Sequence, residues 1–381
     1  MHICYTTDYF LPEYGGIQTH VHELSKVAIK NGHRVTVVTS VEGERIVEKI
    51  DNINVIRIKY PKYAGFFALS GLKNRLYKIF RKIDPDIIHA HHAFSPMGLA
   101  TAHAAKKIGI PAILTNHSIP IGYEAFKRLW NYFSRIFLLY QEIYNIRKYD
   151  AIIAVSSLAA EYIRVYYPKG RIFVVPPPVE TEFFNVSATK EDIGFNNEDK
   201  IVLFVGRLAI KKGIEFALYS FRLISLLEPK AKLCVVGPYE KAYMWHVKNL
   251  VKSWDLEDKV IFVGPVDREL LRKFYAASDV FIFPSYGGES FGIVVLESMA
   301  TGTPVVATSG GALRRYIEKY GLGYITGFSP VKFARAVIRL LNNPTLRDEM
   351  GKKCRIFARL FSWDRIFSKI MDIYRLVMEN D

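Results

Sequence analysis

Residues 283–311 read FPSYGGESFGIVVLESMATGTPVVATSGG. An apolar run ending at Phe283 gives way to Pro284-Ser285 and the pair Gly287-Gly288, then to a helix-forming segment that starts near Gly292. Gly302-Thr303-Pro304 breaks that segment, a second apolar run follows at 305–308, and Gly310-Gly311 closes the stretch. The pattern predicts strand, glycine-rich loop, helix, strand, loop. Glycines let backbone N–H groups turn inward, and the positive end of a helix beginning at Gly292 favours an anion there. Glu289 stands at the loop tip, and Glu297 lies eight residues further on, over a turn into the helix. A carboxylate beside a phosphate makes chemical sense when the ligand carries hydroxyls on both sides of the phosphate, as a nucleotide sugar does.

The arrangement ESFGIVVLE followed by GTPVVA resembles the signature of the retaining glycosyltransferases of family 4. The resemblance implies the GT-B architecture, an α/β fold of two facing Rossmann-like domains with parallel sheets. It assigns Glu289 to the hydroxyls of a donor sugar and Glu297 to ribose hydroxyls. Ser290, Phe291 and Gly292, at the loop–helix junction, complete the expected substrate-binding segment.

Half of the 381 residues are apolar, enough for two ordinary domains that each bury a core. Cys4, Cys234 and Cys354 lack metal-ligand spacing and read as reduced thiols of a cytosolic protein. The N-terminal MHICYTTDYF is too short and polar for a signal peptide, and no apolar run approaches the ~18 residues of a spanning helix. The expected location is the cytoplasm, with room for peripheral association at the inner face of a membrane. A net charge of +15 points to nucleic acid, anionic membranes or anionic small molecules. With no zinc-finger spacing, RNA-binding aromatic signature or basic tail, no nucleic-acid partner is expected.

Short runs rich in Val, Ile and Leu recur at 2–6, 34–39, 53–58, 86–90, 112–115, 151–155 and 172–175, with helical patterns such as 17–30 and 96–107 between several of them. After Pro176-Pro177-Pro178 and the polar stretch 185–200 the pattern restarts, with runs at 201–205, 231–236, 260–263, 279–283 and 304–308. This alternation predicts parallel sheets covered on both faces. The expected domains are 1–183 on the acceptor side, 184–360 for the nucleotide sugar, and a C-terminal helix, 361–381, that resembles the family helix crossing back onto the first domain. Two such units predict a cleft between them.

In the second half, Gly206-Arg207-Leu208 follows the run 201–205, and Lys211-Lys212-Gly213 opens the next helix. Two cations beside a helix N-terminus suit a diphosphate, Arg gripping two oxygens and Lys adding a point charge. The pattern is similar to the family's donor-diphosphate motif, which makes Arg207 and Lys212 candidate catalytic residues with Glu289. His117, in LTNHS, sits where the run 112–115 ends. In the family a histidine in this context contacts the donor sugar, and the resemblance adds His117 to that group. Gly15-Gly16, between the first strand and the first helix, permit close backbone approach to a phosphate or acceptor; a tight turn is the alternative. Ser156, in IAVSS, occupies a similar strand-end position.

Asp84-Pro85-Asp86 reads as a turn and strand start rather than a metal-binding pair. His89, His91 and His92 have no carboxylate or cysteine nearby to complete a site, and no metal is assigned. The stretches 59–82 and 125–148 interleave Lys and Arg with aromatic residues. They suit an anionic membrane surface, or a basic face over an aromatic core.

Two departures from the family pattern stand out: Pro176-Pro177-Pro178-Val179-Glu180 replaces the frequent Pro-Asn-Gly-Val-Asp, and Arg314 replaces a usual Glu. GGIQTHVHEL, HHAFSPMG and LTNHS look most like enzymes that glycosylate phosphatidylinositol. The implied activity is retaining transfer from a UDP- or GDP-sugar to an acceptor hydroxyl on a phosphatidylinositol-type or polyprenyl-linked lipid, with no cofactor and no metal. A nucleotide-sugar epimerase or hydrolase, and a non-catalytic nucleotide-sugar-binding subunit, stay open as alternatives.

Overall fold

The computed structural model describes residues 1–12, 15–41, 46–59, 67–117, 143–287, 289–308 and 311–379, with backbone only over 67–70. Contacts divide the chain into two units, Met1–Pro177 with Trp363–Asp381, and Pro178–Ser362.

The first unit is built on β1 (His2–Thr6), β2 (Arg34–Val41), β3 (Ile46–Ile50), β4 (Ile53–Lys59), β5 (Ile87–His91), β6 (Ala112–Asn116), β7 (Ala151–Ala154) and β8 (Ile172–Val174). They form one sheet in the order β3-β4-β2-β1-β5-β6-β7-β8. Every pairing is parallel except that of β3 with β4. Every residue of β1, β5 and β6 is buried, as expected of a parallel sheet covered on both faces. Alternation along the strands sorts the two covers. Cys4, Val38, Ile88 and Leu114 pack with the helices Phe67–Ile83 and Pro96–Ile108. Ile3, Tyr5, Val37 and Ile113 pack with the helices Gly16–Lys30 and Trp363–Met378.

The last helix buries Ile366, Phe367, Ile370, Met371, Ile373, Tyr374 and Val377, a stripe at helical spacing. It also makes a polar connection to the centre of the sheet. Tyr374 Oη shares a hydrogen bond with His89 Nδ1 at 2.6 Å, and His89 Nε2 shares one with Thr115 Oγ1 at 2.6 Å.

The second unit carries β9 (Lys200–Val205), β10 (Ala231–Val236), β11 (Val260–Gly264), β12 (Val280–Phe283), β13 (Val305–Ala307) and β14 (Gly323–Ile325). The order is β11-β10-β9-β12-β13-β14, all parallel. Residues 179–184 pack with this unit. Val179 N–H donates to the Phe361 carbonyl at 2.8 Å, and Val179 and Phe184 belong to the same buried cluster as Phe281 and Phe361. Asp279 anchors the start of β12 by accepting the Ile201 N–H at 2.7 Å and pairing with Lys190 at 3.1 Å and Arg347 at 3.0 Å.

The sequence pattern predicts neither β3 nor β14. β3 is exposed or half-buried along its length, so it shows no apolar run. It joins β4 through Asp51 and Asn52, both at positive φ (48° and 65°), the geometry of a two-residue hairpin turn. β14 is three half-buried residues. Among the described residues no helix is long and apolar enough to cross a membrane.

Tyr374→Phe leaves a buried imidazole nitrogen without its partner, which costs about 1–3 kcal/mol. The variant should retain native circular dichroism and unfold at lower urea concentration than the wild type. An unchanged midpoint would show that the hydrogen bond contributes nothing to holding the helix.

Candidate active site

Each sheet has one pair of neighbouring strands from which the chain leaves in opposite directions: β1 with β5, and β9 with β12. Open parallel sheets bind ligands outside the carboxyl ends of such pairs.

In the second unit, the loops after β9 and β12 meet. Tyr286 N–H donates to the Lys211 carbonyl at 3.0 Å, and Ser285 Oγ donates to the same oxygen at 3.2 Å. The approach is backbone to backbone at Gly213, where a Cβ would lie 2.0 Å from the Pro284 carbonyl oxygen and φ is +72°. Only glycine fits there. This closure brings Lys212 Nζ within 2.5 Å of Glu289 Oε1, both mostly shielded from solvent. Three residues on, Gly292, at φ +93°, opens the helix Ile293–Thr301, and no side chain caps that end. Of its first-turn N–H groups, that of Val295 donates to the Gly292 carbonyl at 3.0 Å, and no side chain accepts from the others. Arg207 is exposed and, among the described residues, has no acidic partner.

Glu297, further along the same helix, accepts a hydrogen bond from Tyr275 Oη at 2.8 Å. Burial pushes the Glu297 carboxyl above its ordinary range, opposed by the Tyr275 hydrogen bond and by Arg268. Burial and the Glu297 charge hold the Tyr275 hydroxyl well above its usual value. Among the described residues, no hydrogen bond or ion pair joins Arg207 or Glu297 to the Lys212–Glu289 pair.

Phe291 is placed with its ring inward. Its ring is buried in the core and packs 5.9 Å from Phe361, so only its backbone is left for a ligand. A 420 Å³ cavity lies at the other end of this sheet, beside Asp279 and Thr303. Its cations are already engaged, Lys190 and Arg347 with Asp279, and Arg355 with the Thr301 carbonyl.

In the first unit, a 220 Å³ cavity lies at the carboxyl ends of β1 and β5, lined by Thr7, Asp8, Tyr9, Gln18, His92 and Ser95 among others. Gly15 and Gly16 open the helix whose first turn lines it through Ile17 and Gln18. A Cβ on Gly16 would meet nothing within 4 Å, so packing does not require glycine at that position; Glu13 and Tyr14 lie outside the described residues. Asp8 Oδ1 accepts the Met97 N–H at 3.2 Å, while its buried Oδ2 has no partner among the described residues. Burial raises the Asp8 carboxyl, against the pull of Ser95, Met97 and His92.

His117 lies just past β6 and joins a group of imidazoles. His91 Nδ1 and His117 Nε2 are 3.2 Å apart, and the rings stack at 5.5 Å and 24°. His20, in the first helix, has its ring 5.2 Å from that of His117 and 5.5 Å from that of His91. One ring nitrogen from each of the three lies within 4.8 Å of the others. Burial lowers His20 to about 4 and, with help from His20, His89 to about 3. Burial and the neighbouring imidazoles hold His91 and His117 well below the usual value.

Sequence reasoning singled out Lys212 and Glu289, which the structure joins, and missed Asp8, Gln18 and His20. Asp8 follows the first apolar run by two residues, and its place at a strand end is the signal that could have found it. Ser156 has a local duty, capping the helix Ser157–Arg164 by accepting the Ala159 N–H at 3.1 Å. Asp86 accepts the His2 N–H at 2.6 Å where β5 begins.

Of the two basic-aromatic stretches, residues 60–66 and 125–142 lie outside the described residues. The helix Phe67–Ile83 turns Leu72, Leu76, Ile79 and Phe80 into the core, and Tyr77 lies under Lys107 at 4.6 Å. Its apolar face is thus covered by its own unit, while Arg75, Lys78, Arg81 and Lys82 are exposed.

The description Glycosyltransferase Family 4 matches residues 14–183, and Glycosyl transferases group 1 matches residues 185–357. A D-inositol 3-phosphate glycosyltransferase of Catenulispora acidiphila is 30% identical over 391 aligned residues, covering 96% of this chain and 91% of that protein. An alpha-monoglucosyldiacylglycerol synthase of Streptococcus pneumoniae is 28% identical, with 84% and 73% covered. Among solved structures, HepE of Anabaena, in complex with UDP, has a TM-score of 0.78 at 17% identity, covering 98% of this chain and 99% of that one, a likeness of fold. With two parallel-sheet Rossmann-like domains and matches along nearly its whole length, the chain belongs to glycosyltransferase family 4, of GT-B fold.

Proposed function

We propose that the protein transfers a sugar, with retention of anomeric configuration, from a UDP- or GDP-sugar to a hydroxyl of a lipid acceptor. The observation that carries this reading is the Lys212–Glu289 pair beside the uncapped helix start at Gly292. In the transfer, the bond from the sugar's C1 to the β-phosphate oxygen breaks and its electron pair stays on that oxygen. C1 bonds to the acceptor oxygen, and the hydroxyl proton goes to the departing diphosphate. Negative charge grows on the phosphate throughout.

Lys212 has N–H donors beyond the one that Glu289 accepts, and Arg207 offers a planar fork to two phosphate oxygens. With the amides at Gly292 they stabilise the leaving group without a metal. Glu289, held beside the lysine, accepts from donor-sugar hydroxyls, while Ser290 and Gly292 border the same ligand. His117, its imidazole neutral, contacts the donor sugar, and Glu297 takes the ribose hydroxyls. The unpartnered Asp8 Oδ2, in the cavity next to Gly15 and Gly16, suits an acceptor hydroxyl.

For the acceptor, one relative is named for a phosphorylated inositol and another for a diacylglycerol lipid. A phosphatidylinositol-type lipid combines both chemistries. Exposed Arg75, Lys78, Arg81 and Lys82 would hold the protein peripherally at an anionic cytoplasmic membrane face, each contributing about 1 kcal/mol. The deciding experiment offers UDP-, GDP- and ADP-sugars with lipid extract and follows released nucleotide, labelled lipid and the anomeric configuration of the product. Nucleotide release with no labelled acceptor, or an inverted product, would overturn the reading.

Arg207→Ala and Lys212→Ala should each lower kcat/KM by about 10²–10³, or roughly 2–4 kcal/mol. Glu289→Ala should lose orders of magnitude in kcat with its melting curve intact, and EDTA should leave wild-type activity unchanged. Near-normal transfer by the Glu289 variant would remove this site from the chemistry.

Glu297→Gln should weaken donor binding and shift the stability profile. The raised folded-state pKa means that the wild type loses stability as pH climbs from the ordinary glutamate range to that raised value, since the unfolded chain ionises first. The neutral variant escapes this loss. Its melting temperature relative to wild type should therefore rise between pH 4 and pH 8, and a constant difference would contradict the assignment.

The wild type should bind anionic vesicles at low salt and leave them as salt is added. Changing Arg75, Lys78, Arg81 and Lys82 to Ser should abolish binding with donor KM unaltered. Lys73 is left out because burial and Lys148 lower its pKa. Salt-insensitive binding would exclude an electrostatic membrane contact.

A further inference from the structure

We infer that His20, His91 and His117 form a binding site for a borderline transition-metal dication, Zn²⁺ being the representative, and that its occupancy switches the enzyme off. The three imidazoles come from different elements of the first unit: His20 from the first turn and a half of the helix Gly16–Lys30, His91 from the end of β5, His117 from the residue after β6. One ring nitrogen from each lies within 4.8 Å of the other two. Metal–nitrogen bonds of about 2.0–2.1 Å place tetrahedral ligand nitrogens roughly 3.3 Å apart. His91 Nδ1 and His117 Nε2, at 3.2 Å, already have that spacing. His20, half-buried, has its ring nitrogen within 4.8 Å of the other two and completes the set by a shift of its ring.

A second observation concerns His91 alone. It is fully buried, yet its Nε2 has no partner among the described residues. That nitrogen is not the one facing His117, so it is not a ligand; it is the place on the ring that can carry the proton Nδ1 gives up when a metal binds. The pair shares one proton between two nitrogens that could both serve a metal. On binding, each imidazole gives a lone pair, the shared proton moves to a distal ring nitrogen, and no bond in the chain breaks. Water fills the fourth position, as in three-histidine zinc sites.

The ligand set selects the ion. Three imidazoles with no carboxylate suit Zn²⁺, Co²⁺, Ni²⁺ or Cu²⁺ and disfavour Mg²⁺, Ca²⁺ and Mn²⁺, which prefer oxygen. Thiolate competition is absent, since all three cysteines are buried. The inhibitory consequence rests on the role of His117 proposed above, because an imidazole bound to metal is withdrawn from a sugar hydroxyl. The binding itself does not rest on that role.

The test uses the full chain, stripped with chelator and without donor. Titration with Co²⁺ should give one equivalent bound and the visible absorption of a nitrogen-ligated, four-coordinate ion, displaced by Zn²⁺. His91→Gln and His20→Gln should each weaken binding at least tenfold, whereas His22→Gln, at a histidine paired with Glu23 and Asp51, should not. Absorption of the hexaaquo ion only, or equal affinity in wild type and His91→Gln, overturns the site. Should the variants fail to fold, X-ray absorption on the Zn²⁺-loaded wild type decides. Imidazole scattering with nitrogen at about 2.0 Å supports the site, and a sulfur or all-oxygen shell overturns it. Micromolar Zn²⁺ should also stop wild-type transfer, with full recovery on EDTA. A bound metal that leaves transfer untouched would overturn the switch and, with the spectrum intact, keep the site.

Discussion

The reversal of chain direction beside β1 and beside β9 is the constraint from which both candidate sites follow. In each sheet the strand that begins the unit has neighbours reached by opposite routes, so the loops after the two strands part and leave room between them. In the first unit the gap is the cavity beside Asp8, His92 and Ser95. In the second, glycine at 213 allows the gap to close until two backbones touch, and the result is the Lys212–Glu289 pair. The same topology yields an open cavity in one unit and a charged clamp in the other because the loop residues differ.

Placement of a site also depends on what surrounds it. The 420 Å³ cavity by Asp279 is larger than the 220 Å³ one by Asp8, yet it lies at the amino ends of its strands. There Lys190 and Arg347 already neutralise a carboxylate that anchors β12 through the Ile201 amide. A buried ion pair of this kind is costly to break, since each partner would be left without compensation. Cations engaged in holding a strand are poor recruits for a ligand. Arg207, by contrast, is exposed with no acidic partner among the described residues.

Much of this was legible in the sequence, and the limits are physical. Fully buried strands such as β1, β5 and β6 announce themselves as apolar runs, and the glycine-rich loops mark where the chain must turn. β3 was hidden because an edge strand facing solvent carries IVEKI, whose charges mask the run; the Asp51-Asn52 turn was the only signal it left. Motif spacing placed Lys212 and Glu289 in two loops, but their meeting depends on β9 lying beside β12, which no local pattern encodes. The histidines show the same limit from the other side. His89, His91 and His92 are neighbours in sequence, yet the structure sends His89 to Tyr374 and Thr115, His92 to the Asp8 cavity, and His91 to His117 and His20. Alternation along β5 does not separate 89 from 91; the difference lies in what the adjoining strand and helices present at each level.

The pairing of a lysine with a glutamate at a candidate anion site has its own logic. A lone carboxylate beside a diphosphate would repel it, and a lone lysine would bind inorganic phosphate as readily as a nucleotide sugar. Held at 2.5 Å, the two present one face that donates and one that accepts. A ligand that offers phosphate oxygens alone satisfies half of this surface. One that adds sugar hydroxyls satisfies both, and its extra hydrogen bonds go to a carboxylate whose charge the lysine already balances. On the proposed function, selectivity for the sugar-bearing nucleotide over the free one would come from Glu289, and the tolerance of negative charge from Lys212, Arg207 and the helix end at Gly292.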